Sequence, residues 1–291
     1  MRVLVTGRNG QVARAIAELG LPQVVFSARP ELDLAQPETI EAAVARIRPD
    51  VIVNAAAYTA VDLAEDEPGL AMAINAKAPG VLGRAAAGIG ARVIHLSTDH
   101  VFDGSGSQPW HEDDPVVPIN LYGRSKALGE EALRAATPEH LILRTAWIYG
   151  SHGANFVTTM LRLGAERGEV SVVGDQYGCP TAAHEIARAI AAILARWQSE
   201  PRHGLGMTCH LAGTGATNRA QFAKELFRLA AEHGYPRPKV HTIATADYPT
   251  RAQRPANARL DCGRLARLFG YRAPPWQQSL AVVVERLLSG N

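Results

Sequence analysis

Cysteine is scarce: there are three in 291 residues, and Cys179, Cys209 and Cys262 share no short CxxC spacing. Neither a disulfide framework nor a thiolate zinc cage is suggested, and the three are expected to be reduced packing residues. The ten histidines are scattered with no HExxH pair, so no common metal-ligand spacing is present and no metal site is expected. Charge of one sign is also missing. Thirty Lys and Arg face 28 Asp and Glu, a formal charge of +2, which leaves no field to draw nucleic acid or an anionic membrane. No apolar run approaches the roughly 18 residues that cross a bilayer, and even Leu280 to Leu288 is broken by Glu285 and Arg286. The amino terminus lacks a signal-peptide pattern, because its apolar run meets Gly7 and Gly10 at once. The expectation is a cytoplasmic protein with no nucleic-acid or membrane partner.

What is there suits a folded chain: 47% hydrophobic and 20% charged residues allow a sizeable core. At about 150 residues per domain the length predicts two lobes or one large α/β domain. Short β-rich runs alternate with Ala-rich amphipathic segments in the first half, the pattern of a parallel sheet covered on both faces. Strands are expected at 2–6, 24–28, 51–57, 92–98 and 141–148, and helices at 11–19, 38–47, 67–87 (broken at Pro79) and 122–136. A polar loop, 103–118, is long enough to be functional. Beyond it the pattern predicts a helix at 155–167, a short strand at 170–173, a turn at 175–181, a strand at 207–212 returning to the sheet, and a proline-rich tail of loops and short helices. The fold class predicted is α/β, a Rossmann-type doubly wound parallel sheet with a smaller C-terminal substrate-binding lobe. Residues 1–150 with a return at 182–215 would form the first, and 151–181 with 216–291 the second.

The first strand runs straight into Gly7-Arg8-Asn9-Gly10-Gln11-Val12-Ala13. Glycines there let the backbone turn sharply and approach a pyrophosphate at the positive end of the following helix. The spacing differs from the strict GxGxxG fingerprint, and an ordinary strand-to-helix turn is the plain alternative. The second strand ends in Ser27-Ala28-Arg29, where a dinucleotide site carries an acid for a ribose 2′-hydroxyl or an arginine for a 2′-phosphate. Arg29 with Arg8 favours NADP(H), unless both are merely solvated charges; Asp33 lies far enough on to face the adenine.

Tyr122-Gly123-Arg124-Ser125-Lys126 places a lysine four residues after a tyrosine, on one helix face. The ammonium is expected to lower the phenol's pKa, so that the phenol exchanges a proton with a reacting oxygen near neutral pH. That spacing also arises by chance on surface helices. Here it is accompanied by Ser97-Thr98-Asp99 at the carboxyl end of a buried strand, where open α/β sheets place their ligands. A hydroxyl and a phenol converging on one carbonyl suit hydride transfer, because the developing alkoxide needs two donors and then a proton. Taken alone, Thr98 could equally be a strand-end cap.

The segments GRNGQVA, NAAAYTAVDLAEDEP, STDHVFDG, YGRSK, LRTAWIYG, DQYGCPT and RPANARLD follow one another from the first strand to Asp261. In this combination and order the chain resembles the dTDP-4-dehydrorhamnose reductase family, within the extended short-chain dehydrogenases/reductases. The resemblance implies reduction of the 4-keto group of dTDP-4-dehydro-6-deoxy-L-mannose to dTDP-L-rhamnose by NADPH or NADH; a homodimer is expected on the general prevalence of two-fold dimers alone. The resemblance also implies Tyr122 as proton donor, Lys126 as the group orienting it and the nicotinamide ribose, and Thr98 as donor to the ketone. Gly7, Gly10, Gln11 and Val12 would hold the pyrophosphate, Asp33 and Leu34 border the adenine, and Ala55, Ala56, Ala57 and Tyr58 line the ribose and diphosphate. Asp99, Trp147 and Arg254 are the residues expected on the sugar-nucleotide side, with core packing the alternative for Trp147.

Some positions depart from the family pattern. His100 stands where a tyrosine usually follows Ser-Thr-Asp, and Ala258 replaces a serine. Some relatives hold magnesium between subunits through two glutamates, and Ala15 and His184 occupy those places. A methyl and an imidazole are poor magnesium ligands, which again predicts no metal. Two rival functions share the fold: a nucleotide-sugar 4-ketoreductase, dehydratase or epimerase acting on another sugar, and a non-catalytic NADP-binding regulatory subunit.

Overall fold

Short apolar runs with both faces covered make the centre of the molecule, in a computed structural model that describes residues 1–289. The last two residues of the lobe expected at 216–291 lie outside the described residues. Val3–Thr6 (β1), Val24–Ser27 (β2), Val51–Asn54 (β3), Arg92–Thr98 (β4), His140–Thr145 (β5) and Met207–His210 (β6) form one sheet in the order β6-β5-β4-β3-β1-β2. Every pairing in it is parallel. Because side chains alternate along a strand, Val3, Val5, Val51 and Val53 enter a core with Gln11–Glu18 (α1), while Leu4, Ile52, Val93 and Ile142 enter another with Pro37–Ile47 (α2) and Ala78–Ala87 (α3). Leu121–Ala136 (α4) packs on α3, and Ala183–Ser199 (α5) packs on α1. The strand order reverses between β1 and β3, so the ligand crevice of such a sheet opens at their carboxyl ends.

The strand expected at 207–212 does return to the sheet, as β6 beside β5. Three other expectations need correcting. The run 51–57 leaves the sheet after Asn54, because the Ala56 amide bonds to the Thr6 hydroxyl (3.1 Å) instead of to a neighbouring strand. The run 141–148 is interrupted at Trp147, whose φ of 48° is left-handed; Ile148–Tyr149 then pairs with Thr181–Ala182. The helix expected at 67–87 breaks ahead of Pro79, in a π-helical turn at Ala73–Lys77. Pro79 itself sits in the first turn of α3, where a missing N–H costs nothing.

A further core lies away from the sheet. Tyr149, Leu161, Val170 and Val172 pack there with Phe222 and Leu226 of Arg219–Ala231 (α6) and Leu280 and Val283 of Trp276–Leu288 (α7). The tail is therefore more regular than expected. It contains the 13-residue helix α7 and the strand Lys239–Ile243, which pairs in parallel with Glu169–Val173.

Candidate active site

The carboxyl ends of β1, β3 and β4 converge on the first turn of α4. Asn120 caps that helix: its Oδ1 accepts from the Gly123 amide (2.8 Å), and its Nδ2 donates to Gln253 O (2.8 Å) and His100 Nδ1 (3.0 Å). One cap thus ties the Tyr122 turn to the strand-end turn after β4 and to the loop that carries Arg254. Gly123 is demanded by closeness, since a Cβ there would stand 2.1 Å from His100 O.

Tyr122 is half-buried, with the His100 ring edge-on at 5.3 Å. Burial pushes its phenol up to about 12, and the hydrogen bonding of the nearby Thr98 hydroxyl only partly offsets this. Thr98 is buried; its Oγ1 donates to Asp99 Oδ1 (3.0 Å) and accepts from the His100 amide (3.2 Å). Asp99 is buried too, its carboxyl raised by burial, and its Oδ2 has no hydrogen-bond partner among the described residues.

The expected electrostatic action of Lys126 on Tyr122 is not what the chain displays. The phenol is raised, and Lys126 is not among the groups acting on it. The reason is reach: the lysine chain runs into the sheet, where Nζ donates to Leu96 O (2.7 Å) and lies 3.4 Å from His95 Nε2. Burial brings this ammonium down to about 8. Behind it, His95 Nδ1 lies 3.0 Å from Asn54 Nδ2, and Asn54 Oδ1 accepts from the Thr6 hydroxyl (2.8 Å). A buried polar chain therefore joins Lys126 to the end of β1.

On the cofactor side, Gly7 turns at φ 82° and donates to Ser27 O (2.8 Å). Gly10 is the extended N-cap of α1 and provides no side-chain cap. The first amides of that helix are therefore free of a side-chain acceptor, at its positive end. Gln11 Oε1 is buried without a hydrogen-bond partner among the described residues, and the Val12 side chain is in the core. These features fit an anionic dinucleotide. Arg8 and Arg29 are both exposed beside the ends of β1 and β2, as a 2′-phosphate would need. Asp33 Oδ1 is engaged by the Ala35 amide (2.9 Å), and Leu34 belongs to the core under α2. Ala55, Ala56, Ala57 and Tyr58 are half-buried along the crevice.

Sequence reasoning missed the residue that fixes this last segment. Asn75, in the π-helical turn, accepts from the Tyr58 amide (2.9 Å) and donates to Tyr58 O (2.9 Å) and Ser125 Oγ (3.0 Å). The wide turn aims one amide group at both the cofactor segment and the Tyr122 helix, and such turns recur at functional sites. A signal was present: Pro79 leaves the carbonyl four residues earlier, at Asn75, without its helical donor. Asn120 and His95 were also missed.

On the remaining side, Trp147 lies against Gly178, and Arg254 Nη2 binds Asp62 Oδ2 (2.5 Å). At the two places where the family resemblance would put magnesium ligands, Ala15 is buried in the core and His184 Nε2 lies 3.0 Å from Glu185 Oε1. No group of three or more His, Cys, Asp or Glu able to hold a metal occurs among the described residues.

Known proteins match this chain along nearly its whole length. The model of the family described as RmlD substrate binding domain matches residues 1–289. A curated dTDP-4-dehydrorhamnose reductase of Sinorhizobium fredii is 47% identical over 290 residues, 99% of this chain and 98% of that one. Among solved structures, a dTDP-4-dehydrorhamnose reductase of Clostridium acetobutylicum superposes with a TM-score of 0.90 at 35% identity, covering 99% of each chain. The Bacillus anthracis reductase in complex with NADP gives 0.89 at 34% identity, covering 97% of this chain and 98% of that one. By family model, by sequence and by fold, the chain belongs to the dTDP-4-dehydrorhamnose reductase family of oxidoreductases.

Proposed function

We propose that Thr98, Tyr122 and Lys126 carry out the NADPH-dependent reduction of the 4-keto group of dTDP-4-dehydro-6-deoxy-L-mannose to dTDP-L-rhamnose, with NADH a permitted substitute. The observation that carries this is the meeting of a buried strand-end hydroxyl and a protonated phenol beside the uncapped end of α1. NADPH, when bound, supplies the hydride. Gly7, Gly10, Gln11 and Val12 hold its pyrophosphate, Arg8 and Arg29 its 2′-phosphate, Asp33 and Leu34 border its adenine, and Ala55 to Tyr58 line its ribose.

A phenol pushed up to about 12 keeps its proton at neutral pH, which makes Tyr122 an acid in place rather than a base. The ketone oxygen replaces Asp99 as acceptor of the Thr98 hydroxyl and takes a second hydrogen bond from Tyr122, which then gives up its proton. Lys126, one helical turn on, orients the nicotinamide ribose, its ammonium fixed against Leu96 O rather than against the phenol. Asp99, Trp147 and Arg254 take the sugar nucleotide. In this reading residues 1–150 with 182–215 hold the cofactor and 151–181 with 216–291 the sugar nucleotide.

Loss of absorbance at 340 nm on mixing protein, NADPH and the keto sugar nucleotide tests the reaction. Tyr122→Phe is expected to lower turnover by roughly 10² to 10⁴ with NADPH affinity unchanged; undiminished turnover would overturn the assignment. The reading extends to a cytoplasmic homodimer, two-fold dimers being the commonest closed assembly, which light scattering tests. No helix among the described residues is long and apolar enough to cross a membrane.

A further inference from the structure

Arg219 is a cation in an unfavourable place. It is the first residue of α6, whose N-cap Asn218 accepts from the Gln221 amide (2.8 Å), and a helix N-terminus repels positive charge. Its guanidinium carbon lies 4.2 Å over the Trp147 ring and 5.6 Å over that of Phe156. Its one polar side-chain contact among the described residues is a long one, Nε to Gln176 Oε1 at 3.4 Å, and it makes no ion pair there. Arg254 and Asp99 are both near enough to act on its charge. Arg254 already has a counter-ion in Asp62, whereas the Asp99 oxygen Oδ2 is buried and unpartnered.

The platform under Arg219 is built at some cost. Trp147 adopts φ 48°, a region strained for a bulky residue. Its indole fits only because residue 178 is glycine, where a Cβ would stand 2.5 Å from Cε2. A strained tryptophan thus holds an unpaired guanidinium beside a second arginine, at the positive end of a helix. All three contributions have the same sign, and Asp99, a carboxylate that acts on Arg219, makes no hydrogen bond with it among the described residues, so the guanidinium donors stay open to a ligand anion.

We propose that Arg219, held on Trp147, clasps the diphosphate of the sugar-nucleotide substrate together with Arg254. This rests on the proposed function for the identity of the ligand and assigns a role to a residue outside the motifs that carry the family resemblance. Planar guanidinium groups suit phosphate oxygens bidentately, and a half-buried site strengthens such bonds. Arg219 acts on binding: it separates a nucleoside-diphosphate sugar from a free sugar, and it takes no part in proton transfer.

Calorimetric titration of dTDP into the NADP-loaded protein tests it. Arg219→Gln is expected to weaken dTDP about ten- to hundredfold, the range for one charge-assisted contact, to flatten the salt dependence of binding, and to leave NADP affinity and thermal midpoint unchanged. Arg219→Lys, which keeps charge but not the planar fork, is expected to fall between. Unchanged dTDP affinity in Arg219→Gln overturns the proposal, as does a loss in both variants accompanied by an equal loss of NADP binding, which marks a purely structural residue. Tight, Arg219-dependent dTDP binding by a wild type that fails to oxidise NADPH would sink the reductase reading and leave this one standing. Turnover of the keto sugar with an unaffected KM in Arg219→Gln would do the reverse.

Discussion

Lys126 holds its ammonium inside the sheet, against Leu96 O and His95, in surroundings that favour its neutral form. The folded-state value near 8 against an ordinary 10.5 is a statement about stability. Below about pH 8 the group is charged in both folded and unfolded chains, and its burial is a full penalty; the penalty fades between pH 8 and 10.5, where the folded amine has already lost its proton. Lys126→Met is therefore expected to abolish turnover and yet to raise stability at pH 7, by up to about 3 kcal/mol, with the gain shrinking above pH 8. Urea denaturation at pH 7 and pH 10 measures it, and a destabilised variant would show that the hydrogen bond to Leu96 O outweighs desolvation. A site that is costly to the fold is the usual sign of a residue kept for chemistry.

At the scale of elements, the Tyr122 helix is docked by its backbone. The turn Asp99–Val101 lies on the first turn of α4 so closely that Gly123 has no room for a methyl. Gly123→Ala forces strand end and helix apart. It is expected to destabilise by about 1–3 kcal/mol, as overpacked sites do, and to cut turnover with little change in NADPH affinity, because α1 and its loop are untouched. Equal loss in cofactor binding would show that the crevice moves as one body. The same scale shows what the sequence made legible. Val3 to Thr6, Arg92 to Thr98 and the glycine loop are marked by local signals, namely continuous apolar runs and turn residues. The strand Lys239–Ile243 has no such mark: half-exposed, preceded by Pro236 and Pro238, it is a strand only because Glu169–Val173 lies beside it. In α7, Val282 to Val284 are β-branched and weak helix formers, and packing of Leu280 and Val283 overrides them. The site residues that were missed share this origin. Asn75 and Arg219 act from segments distant in sequence, brought in by a π-helical turn and by a second core.

Across the whole molecule, one buried network ties the layers together. Glu130 on α4 accepts from Ser97 Oγ of β4 (2.5 Å), from Arg144 Nε and Nη2 of β5 (2.9 and 2.7 Å) and from Arg134 Nη2 (2.9 Å). Burial by itself would raise its carboxyl, but the bonds and charge of Arg144 prevail and hold it below the ordinary value. Arg144 Nη1 reaches on to Glu112 O in the polar loop (3.2 Å), and Glu112 Oε1 accepts from the His210 amide of β6 (2.9 Å). Glu130→Gln leaves Arg144 buried without its counter-charge and is expected to cost about 3–5 kcal/mol at pH 7. Since Glu130 is depressed in the folded chain, its contribution is present above the unfolded value of 4.5 and disappears as pH falls through the folded one. Denaturation midpoints of the two proteins are therefore expected to converge as pH falls below 4.5; a gap that did not shrink with falling pH would contradict the assignment.

The return of β6 also sets an order of events during synthesis. Until residue 210 has left the ribosome, β5 presents Leu141, Ile142 and Leu143 along an open edge, the side that Met207, Thr208 and Cys209 later occupy. Such an edge is a template for pairing with other nascent chains. The crevice that binds the dinucleotide is complete in sequence well before the sheet that supports it is closed. Some sixty residues must be made in the interval, those from Tyr149 to Val172 contributing to the other core and those of α5 to the face of the sheet that α1 covers, and this is the window in which the growing chain is most exposed to aggregation.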